Sequence, residues 1–186
     1  LHVDDDRGLA EATAAYLEQH DERFEVDTAT SASDGIDRLA QTEYDCVVSD
    51  YDMPRQNGIE FLQAVRDDHP DLPFILYTGK GSEAVASEAI SSGVTDYLQK
   101  ATGTGQYELL ANRISNAVGQ HRAKRRAELS HQAMDTANEG LSLVRADGTF
   151  SYVNPAFAGL FEYDPGELVG EHWMVLYHNE EAERLE

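Results

Sequence analysis

Residues 44–58 read YDCVVSDYDMPRQNG. The apolar run Cys46-Val47-Val48 leads through Ser49 and stops at Asp50, and Met53-Pro54 and Gly58 then break the chain. A short apolar run that does not alternate with polar residues, bounded by turn signals, reads as a strand covered on both faces. We therefore predict a strand over 44–49, a loop from Asp50 to Gly58 and a helix over 59–67. The same texture repeats on either side. Leu1–Val3 reads as a first strand and Gly8–Gln19 as a helix with Leu9, Ala12, Tyr16 and Leu17 inward. Phe24–Ala29 follows as a strand. Ser33 is the expected cap of a helix running to Gln41, with Ile36, Leu39 and Ala40 on one face. Pro70 and Pro73 frame the turn into a strand over Phe74–Thr78. Ser82–Ser92 reads as a helix ended by Gly93, then Asp96–Leu98 as a strand and Gln106 onward as a helix. This βα repetition predicts an α/β fold with a five-stranded, doubly wound parallel sheet.

The polar residues that end these strands carry the chemistry. Asp4-Asp5 follow the first strand, Asp50 the third and Thr78 the fourth, and Lys100 follows Tyr97-Leu98. In such sheets ligands bind at the carboxyl ends of the strands. Carboxylates, a hydroxyl and an ammonium gathered there make a site for Mg²⁺ and a phosphoryl group, because clustered carboxylates need a cation and Mg²⁺ takes oxygen ligands.

That combination, with Met53-Pro54 and Gly58 after Asp50, resembles the receiver domain of two-component response regulators, a flavodoxin-like fold. The resemblance implies that Asp50 is the phosphoacceptor and that a cognate histidine kinase is the donor. It implies Mg²⁺ as cofactor, bound directly by Asp5 and Asp50, through water by Asp4, and by the backbone carbonyl of Asp52. Asp6 falls one place past the pair and is expected to begin the first helix, with Asp5/Asp6 the alternative register. Thr78 would bond the phosphoryl oxygens and Lys100 would supply a mobile charge. Thr78 and Tyr97 would form the switch, and Asp52 and Lys80, two places beyond Asp50 and Thr78, would tune phosphate lifetime by pairing across the site. Ala101 stands where receivers usually carry proline after the lysine, so a trans Lys100–Ala101 bond and a looser loop to Gly105 are expected.

The fifth helix has no obvious stop. Tyr107, Leu110, Ile114, Ala117 or Val118, and His121 follow a near-heptad spacing, and helix-forming residues continue to Ala137. We read 1–121 as the receiver, 122–136 as a helical connector and 137–186 as a second, α+β domain. The basic cluster Arg122, Lys124, Arg125 and Arg126 reads as a solvated face or as part of a connector pairing in a homodimer. A nucleic-acid role is not expected, for want of a reading helix or stacking platform nearby. From Ala137 the sequence ANEGLSLVRADGTFSYVNPAFAGLFEYDPGELVG closely resembles the front half of a PAS sensor domain: a hairpin over 141–153, a helix opened by Asn154-Pro155 and another by Asp164-Pro165. The last three strands of a PAS sheet have no counterpart before Glu186, and the chain opens at Leu1 inside an apparent strand, so a fragment is expected.

Composition narrows the class. Asp and Glu total 35 against 14 Lys and Arg, three of them lysine, giving a net charge of −21. This argues against binding to nucleic acid or anionic membrane and looks like a protein of a halophilic archaeon, in which molar salt cuts the Debye length to about 3 Å. No apolar run approaches the ~18–20 residues of a membrane span, and a cytoplasmic location is expected. The single cysteine, Cys46, excludes an internal disulfide and reads as a buried thiol.

Rival readings are weaker. Asp50-Tyr51-Asp52 spells the motif of haloacid-dehalogenase-like phosphatases, but it ends the third strand and not the first. His131 in ELSHQA resembles a histidine-kinase phosphoacceptor box without its following residues. His172 and His178 are unanchored as haem ligands, flavin-adduct chemistry lacks a cysteine in the PAS segment, and Trp173 and Phe157 are expected in its core. The function expected is a phosphorelay receiver coupled to a PAS module. The alternatives are a degenerate receiver used for docking and the receiver part of a hybrid histidine kinase.

Overall fold

The computed structural model describes residues 1–79, 82–101 and 103–177. The chain divides into two compact units, Leu1–Ala123 and Lys124–Glu186. In the first, β1 (His2–Val3), β2 (Thr28–Ala29), β3 (Val47–Ser49), β4 (Phe74–Thr78) and β5 (Asp96–Gln99) alternate with α1 (Arg7–His20), α2 (Ala32–Leu39), α3 (Gly58–Asp68), α4 (Glu83–Ser91) and α5 (Gly105–Asp135). The sheet is wholly parallel in the order β2-β1-β3-β4-β5. Strand order reverses beside β1, so the carboxyl ends of β1 and β3 form the topological switch point where ligands enter such sheets.

Alternation along the central strands divides the core in two. Val47, Phe74 and Leu76 face one side with Ile59, Phe61, Leu62 and Val65 of α3. Val48, Ile75, Tyr77 and Leu98 face the other with Leu17 of α1 and Leu110, Ile114 and Ala117 of α5. Cys46 lies in this second layer, where burial pushes its thiol up to about 12 and leaves it inert.

The structure corrects several sequence expectations. β2 is confined to Thr28–Ala29 and β3 to Val47–Ser49; Phe24 and Val26 instead pack half-buried against the second layer. α2 is capped by Ser31, whose hydroxyl accepts from the Asp34 amide at 3.2 Å, and not by Ser33. The inward face of α1 is Ala10, Thr13, Ala14 and Leu17, with Ala12 exposed; that of α2 is Ala32, Gly35 and Leu39, with Ile36 and Ala40 exposed. Small residues hold these faces because the helices approach closely. A Cβ on Gly35 would stand 2.8 Å from the Phe61 ring.

In the second unit, β6 (Ser142–Val144) and β7 (Phe150–Val153) form an antiparallel pair, followed by α6 (Pro155–Gly159), α7 (Pro165–Leu168) and a 3₁₀ turn over Trp173–Tyr177. Phe150, Val153, Ala158 and Leu168 make its core, with Phe157 against them. Trp173, expected inside, is 43% exposed. Asn154 is the hub: its amide donates to the carbonyls of Met134 and Glu139, and its oxygen accepts from Leu141 and Phe157. Within α5, residues 122–133 are exposed on every side. No helix among the described residues is long and apolar enough to cross a membrane.

Candidate functional site

β1 and β3 are direct neighbours, with Val3 opposite Ser49. The residues that follow them, Asp4 and Asp50, therefore emerge side by side. Both are buried, at 1% and 6% exposure. Their backbones are fixed by the sheet's continuation, Asp4 N–H to the Ala29 carbonyl at 3.0 Å and Asp50 N–H to the Val3 carbonyl at 2.8 Å. β5 delivers Lys100 to the same edge, its amide bonding the Thr78 carbonyl at 2.8 Å. The Lys100 ammonium donates to Asp4 Oδ2 and to Asp50 Oδ1, each at 2.7 Å. Burial pulls its pKa down, but the two carboxylates outweigh that and hold it above the ordinary lysine value. The remaining oxygens are also engaged: Asp4 Oδ1 accepts from the Asp6 amide at 3.0 Å and Asp50 Oδ2 from the Asp52 amide at 2.7 Å.

Thr78 is fully buried at the end of β4. Tyr97 packs half-buried against the α3 side of the core, and its hydroxyl is enclosed with no hydrogen-bond partner among the described residues. Asp5 and Asp52 are exposed beside the buried pair. Asp6 caps α1, accepting from the Leu9 amide at 3.1 Å. Lys80 and His178 lie outside the described residues. The Lys100–Ala101 peptide is trans, as the sequence predicted.

The loop after Asp50 folds back tightly. The Gly58 amide bonds the Tyr51 carbonyl at 2.9 Å, and a Cβ on Gly58 would stand 2.3 Å from the Asp50 carbonyl oxygen. Glycine is required where α3 begins against Asp50. Asn57 and Glu60 form a capping box that fixes the start of that helix.

Sequence reading passed over Tyr77 and Gln106. The Lys100 ammonium lies 5.6 Å over the Tyr77 ring. Tyr77 donates to Gln106 Oε1 at 2.7 Å, and Ala101 N–H donates to the same oxygen at 3.1 Å. Burial pushes the Tyr77 phenol up to about 12, so it stays a neutral donor. The two residues brace Lys100 and the loop after it. The sequence signal extends only to the alternation of β4, which puts Tyr77 on the α5 side without naming its partner.

The donor set fits Mg²⁺. Two buried carboxylates against one ammonium leave a surplus negative charge, to which exposed Asp5 adds, and all the donors are hard oxygens. Among the described residues no three His, Cys, Asp or Glu side chains stand together as a ready cage, since Lys100 fills the space between Asp4 and Asp50. Mg²⁺ typically takes only one or two carboxylates and keeps several waters.

Comparison with known proteins agrees with this geometry. Residues 1–112 match the response regulator receiver domain, and residues 128–186 match the PAS fold. The chain belongs to the response regulator receiver family, with a PAS-fold match following the receiver. It is 30% identical over 146 residues to the C4-dicarboxylate transport transcriptional regulatory protein DctD of Rhizobium meliloti, covering 76% of this chain and 30% of the relative. It is 26% identical over 172 residues to the bacterioopsin transcriptional activator of Halobacterium salinarum, covering 84% of this chain and 25% of that protein. The chain thus spans less than a third of either relative. The structure of a receiver domain protein from Clostridium thermocellum superposes with a TM-score of 0.59 at 26% identity, over 66% of this chain and 94% of that one. These similarities support a two-component response regulator function.

Proposed function

We propose that Asp50 accepts a phosphoryl group and that the change is passed through α5 to the PAS segment. The observation that carries this is the Lys100 ammonium held at 2.7 Å from both Asp4 and Asp50 at the switch point of the sheet. A carboxylate oxygen of Asp50 bonds to phosphorus as the P–N bond of a kinase phosphohistidine breaks, and the leaving imidazole takes a proton from water. Hydrolysis reverses the modification: water adds to phosphorus, the acyl phosphate P–O bond breaks and the carboxylate returns. Catalysis of this kind is mostly positioning and charge compensation. Lys100, released from Asp50, follows the new charge onto the phosphoryl oxygens as a flexible point charge, while Tyr77 keeps its stem in place. Thr78 donates its hydroxyl to the same oxygens. Asp5, Asp50 and the Asp52 carbonyl would hold Mg²⁺, with Asp4 acting through water. The ion would offset the negative charge of the phosphoryl group when bound.

Tyr97 is the second half of the switch. A buried hydroxyl without a partner costs about 1–3 kcal/mol, so the inward position observed is only weakly held and a small change at Thr78 suffices to move it. The Asp52–Lys80 pairing would set phosphate lifetime, and unchanged dephosphorylation in Lys80→Ala would remove it from the account. The receiver ends near residue 121, and residues 122–136, exposed over 122–133, connect it to the PAS segment and pair with a second copy. Residues 122–133 of α5 are exposed among the described residues, and helices gain most of their stability from packing. The basic cluster there is partly engaged, Arg122 with Asp45 and Lys124 with Glu128, which favours a structural role over nucleic-acid contact. The workplace is the cytoplasm of a salt-adapted cell, where the surplus of carboxylates is screened. A melting temperature that fell on adding molar KCl would contradict the last point.

Intact-mass measurement after incubation with acetyl phosphate tests the core of the proposal. One phosphate adduct that needs Mg²⁺ and disappears in Asp50→Asn is expected. A folded wild type that takes no phosphate under any condition would instead favour a docking module.

A further inference from the structure

We propose that Arg7 and Arg55 form an anion-recognition pair at the mouth of the Asp50 site that takes hold of the phosphoryl dianion of the incoming donor. The inference rests on the phosphoacceptor reading of Asp50 and adds how the donor is recognised.

The observation is a pattern of withheld pairing. Within Leu1–Ala123, Arg23 pairs with Asp21, Arg38 with Asp34, Lys100 with Asp4 and Asp50, Arg113 with Asp96, and Arg122 with Asp45. Arg66 donates to the carbonyls of His69, Leu72 and Gly93. Among the described residues of this unit, Arg7 and Arg55 are the cations left without a partner, in a chain with 35 carboxylate side chains against 14 Lys and Arg.

Both stand at the same edge of the sheet. Arg7 opens α1 directly after the acidic run Asp4–Asp6 that ends β1. Arg55 lies in the loop between Asp50, which ends β3, and the start of α3. β1 and β3 are adjacent, so the two arginines flank the strand ends that carry Asp4 and Asp50. Both are exposed.

Both also occupy places that local physics disfavours for arginine. Arg7 sits at the positive end of the α1 dipole, with no acidic residue in that first turn. Arg55 has φ 72°, a left-handed backbone that suits glycine or asparagine and that other side chains rarely adopt. Strained backbone of this kind gathers at functional sites. Cations kept unpaired and at local cost, on the rim of a site with surplus negative charge, suit an anion that arrives from outside. A donor phosphoryl group is such an anion, and it must approach a chain of net charge −21. Local guanidinium groups reverse the repulsion at the mouth, and their fork matches phosphoryl oxygens. The bond formed is Asp50 oxygen to phosphorus, and the bond broken is the donor's own.

The phosphoryl group can reach the site on a small acyl phosphate or on a phosphohistidine. The test uses acetyl phosphate for the first and phosphoramidate, with its P–N bond, for the second. Initial rates of adduct formation against donor concentration are measured for wild type, Arg7→Gln, Arg55→Asn, the double variant, Arg55→Lys, and Arg23→Gln as an equal charge change at the far end of α1. Asparagine accepts the left-handed backbone, so Arg55→Asn keeps the loop, and a thermal melt verifies this. In the double variant the slope of rate against donor concentration is expected to fall about tenfold with both donors and to lose its dependence on KCl. Arg55→Lys should restore part of the slope and Arg23→Gln should match wild type. A double variant indistinguishable from a phosphorylating wild type would overturn the inference and leave the Asp50 reading standing, as would a fall with one donor alone, which would indicate recognition of the leaving group. A wild type that takes no phosphate would overturn both.

Discussion

At Lys100 one ammonium stands against two buried carboxylates, and its side chain is itself only 15% exposed. Removing one partner from such a buried group costs more than the pair contributes, because the charges left behind have neither water nor a counter-ion. Lys100→Met should therefore lower unfolding stability by about 3 kcal/mol in EDTA, with part of the loss recovered on adding Mg²⁺. Phosphorylation of Asp50 should slow by about a hundredfold, as when one preorganised charge-stabilising donor is deleted. Urea unfolding with and without Mg²⁺ is the measurement, and equal midpoints for the variant and wild type in EDTA would contradict the account. At this scale the placement of the candidate residues was legible in the sequence. Asp4, Asp50 and Thr78 each end an apolar run and Lys100 follows the end of β5, and a parallel sheet brings such ends together. The supports were not legible. Tyr77 and Gln106 act through contacts between β4, the loop after β5 and α5, residues 29 apart in sequence, and strand periodicity gives the face of a residue but not its partner.

Elements set how rigidly those residues are held. α3 begins so close to Asp50 that the position of Gly58 admits no side chain: its Cβ would lie 2.3 Å from the Asp50 carbonyl oxygen and 2.7 Å from Leu76 Cδ1. Gly58→Ala should destabilise the receiver by about 3 kcal/mol and displace the loop after Asp50, visible as changed amide shifts for Asp50–Asn57. A variant as stable as wild type, with an unmoved loop, would mean the contact is slack. β4 was read from the sequence to the residue because Phe74–Thr78 is uniformly apolar up to its last position and bounded by Pro73 and Gly79. The faces of α1 and α2 were read only in part, Leu17 and Leu39 correctly, for a definite reason. Periodicity gives weight to large apolar residues such as Ile36, whereas helices pressed on a sheet place alanine, glycine and threonine at the contact, as Ala10, Thr13, Ala32 and Gly35 do here. β2 lies at the sheet edge, where half-buried Phe24 and Val26 look like strand residues and make no ladder.

Over the whole molecule, the relay proposed for Asp50 needs a way out of the receiver, and α5 is the element that extends from its core into the second unit. Leu110, Ala111, Ile114 and Ala117 anchor its first turns, while Leu129 is 58% exposed. If the exposed stretch pairs with its copy, Leu129→Glu should raise the dimer dissociation constant at least about tenfold in sedimentation equilibrium at molar salt. A wild type that stays monomeric at every concentration would remove the pairing from the account. The measurement closest to the central claim is the location of the phosphate. Aspartyl phosphate formed with acetyl phosphate and Mg²⁺ is reduced by borohydride to homoserine, and peptide sequencing by mass spectrometry then reads its position. The account predicts homoserine at position 50 alone; homoserine at position 4 or 5 with Asp50 intact would contradict it.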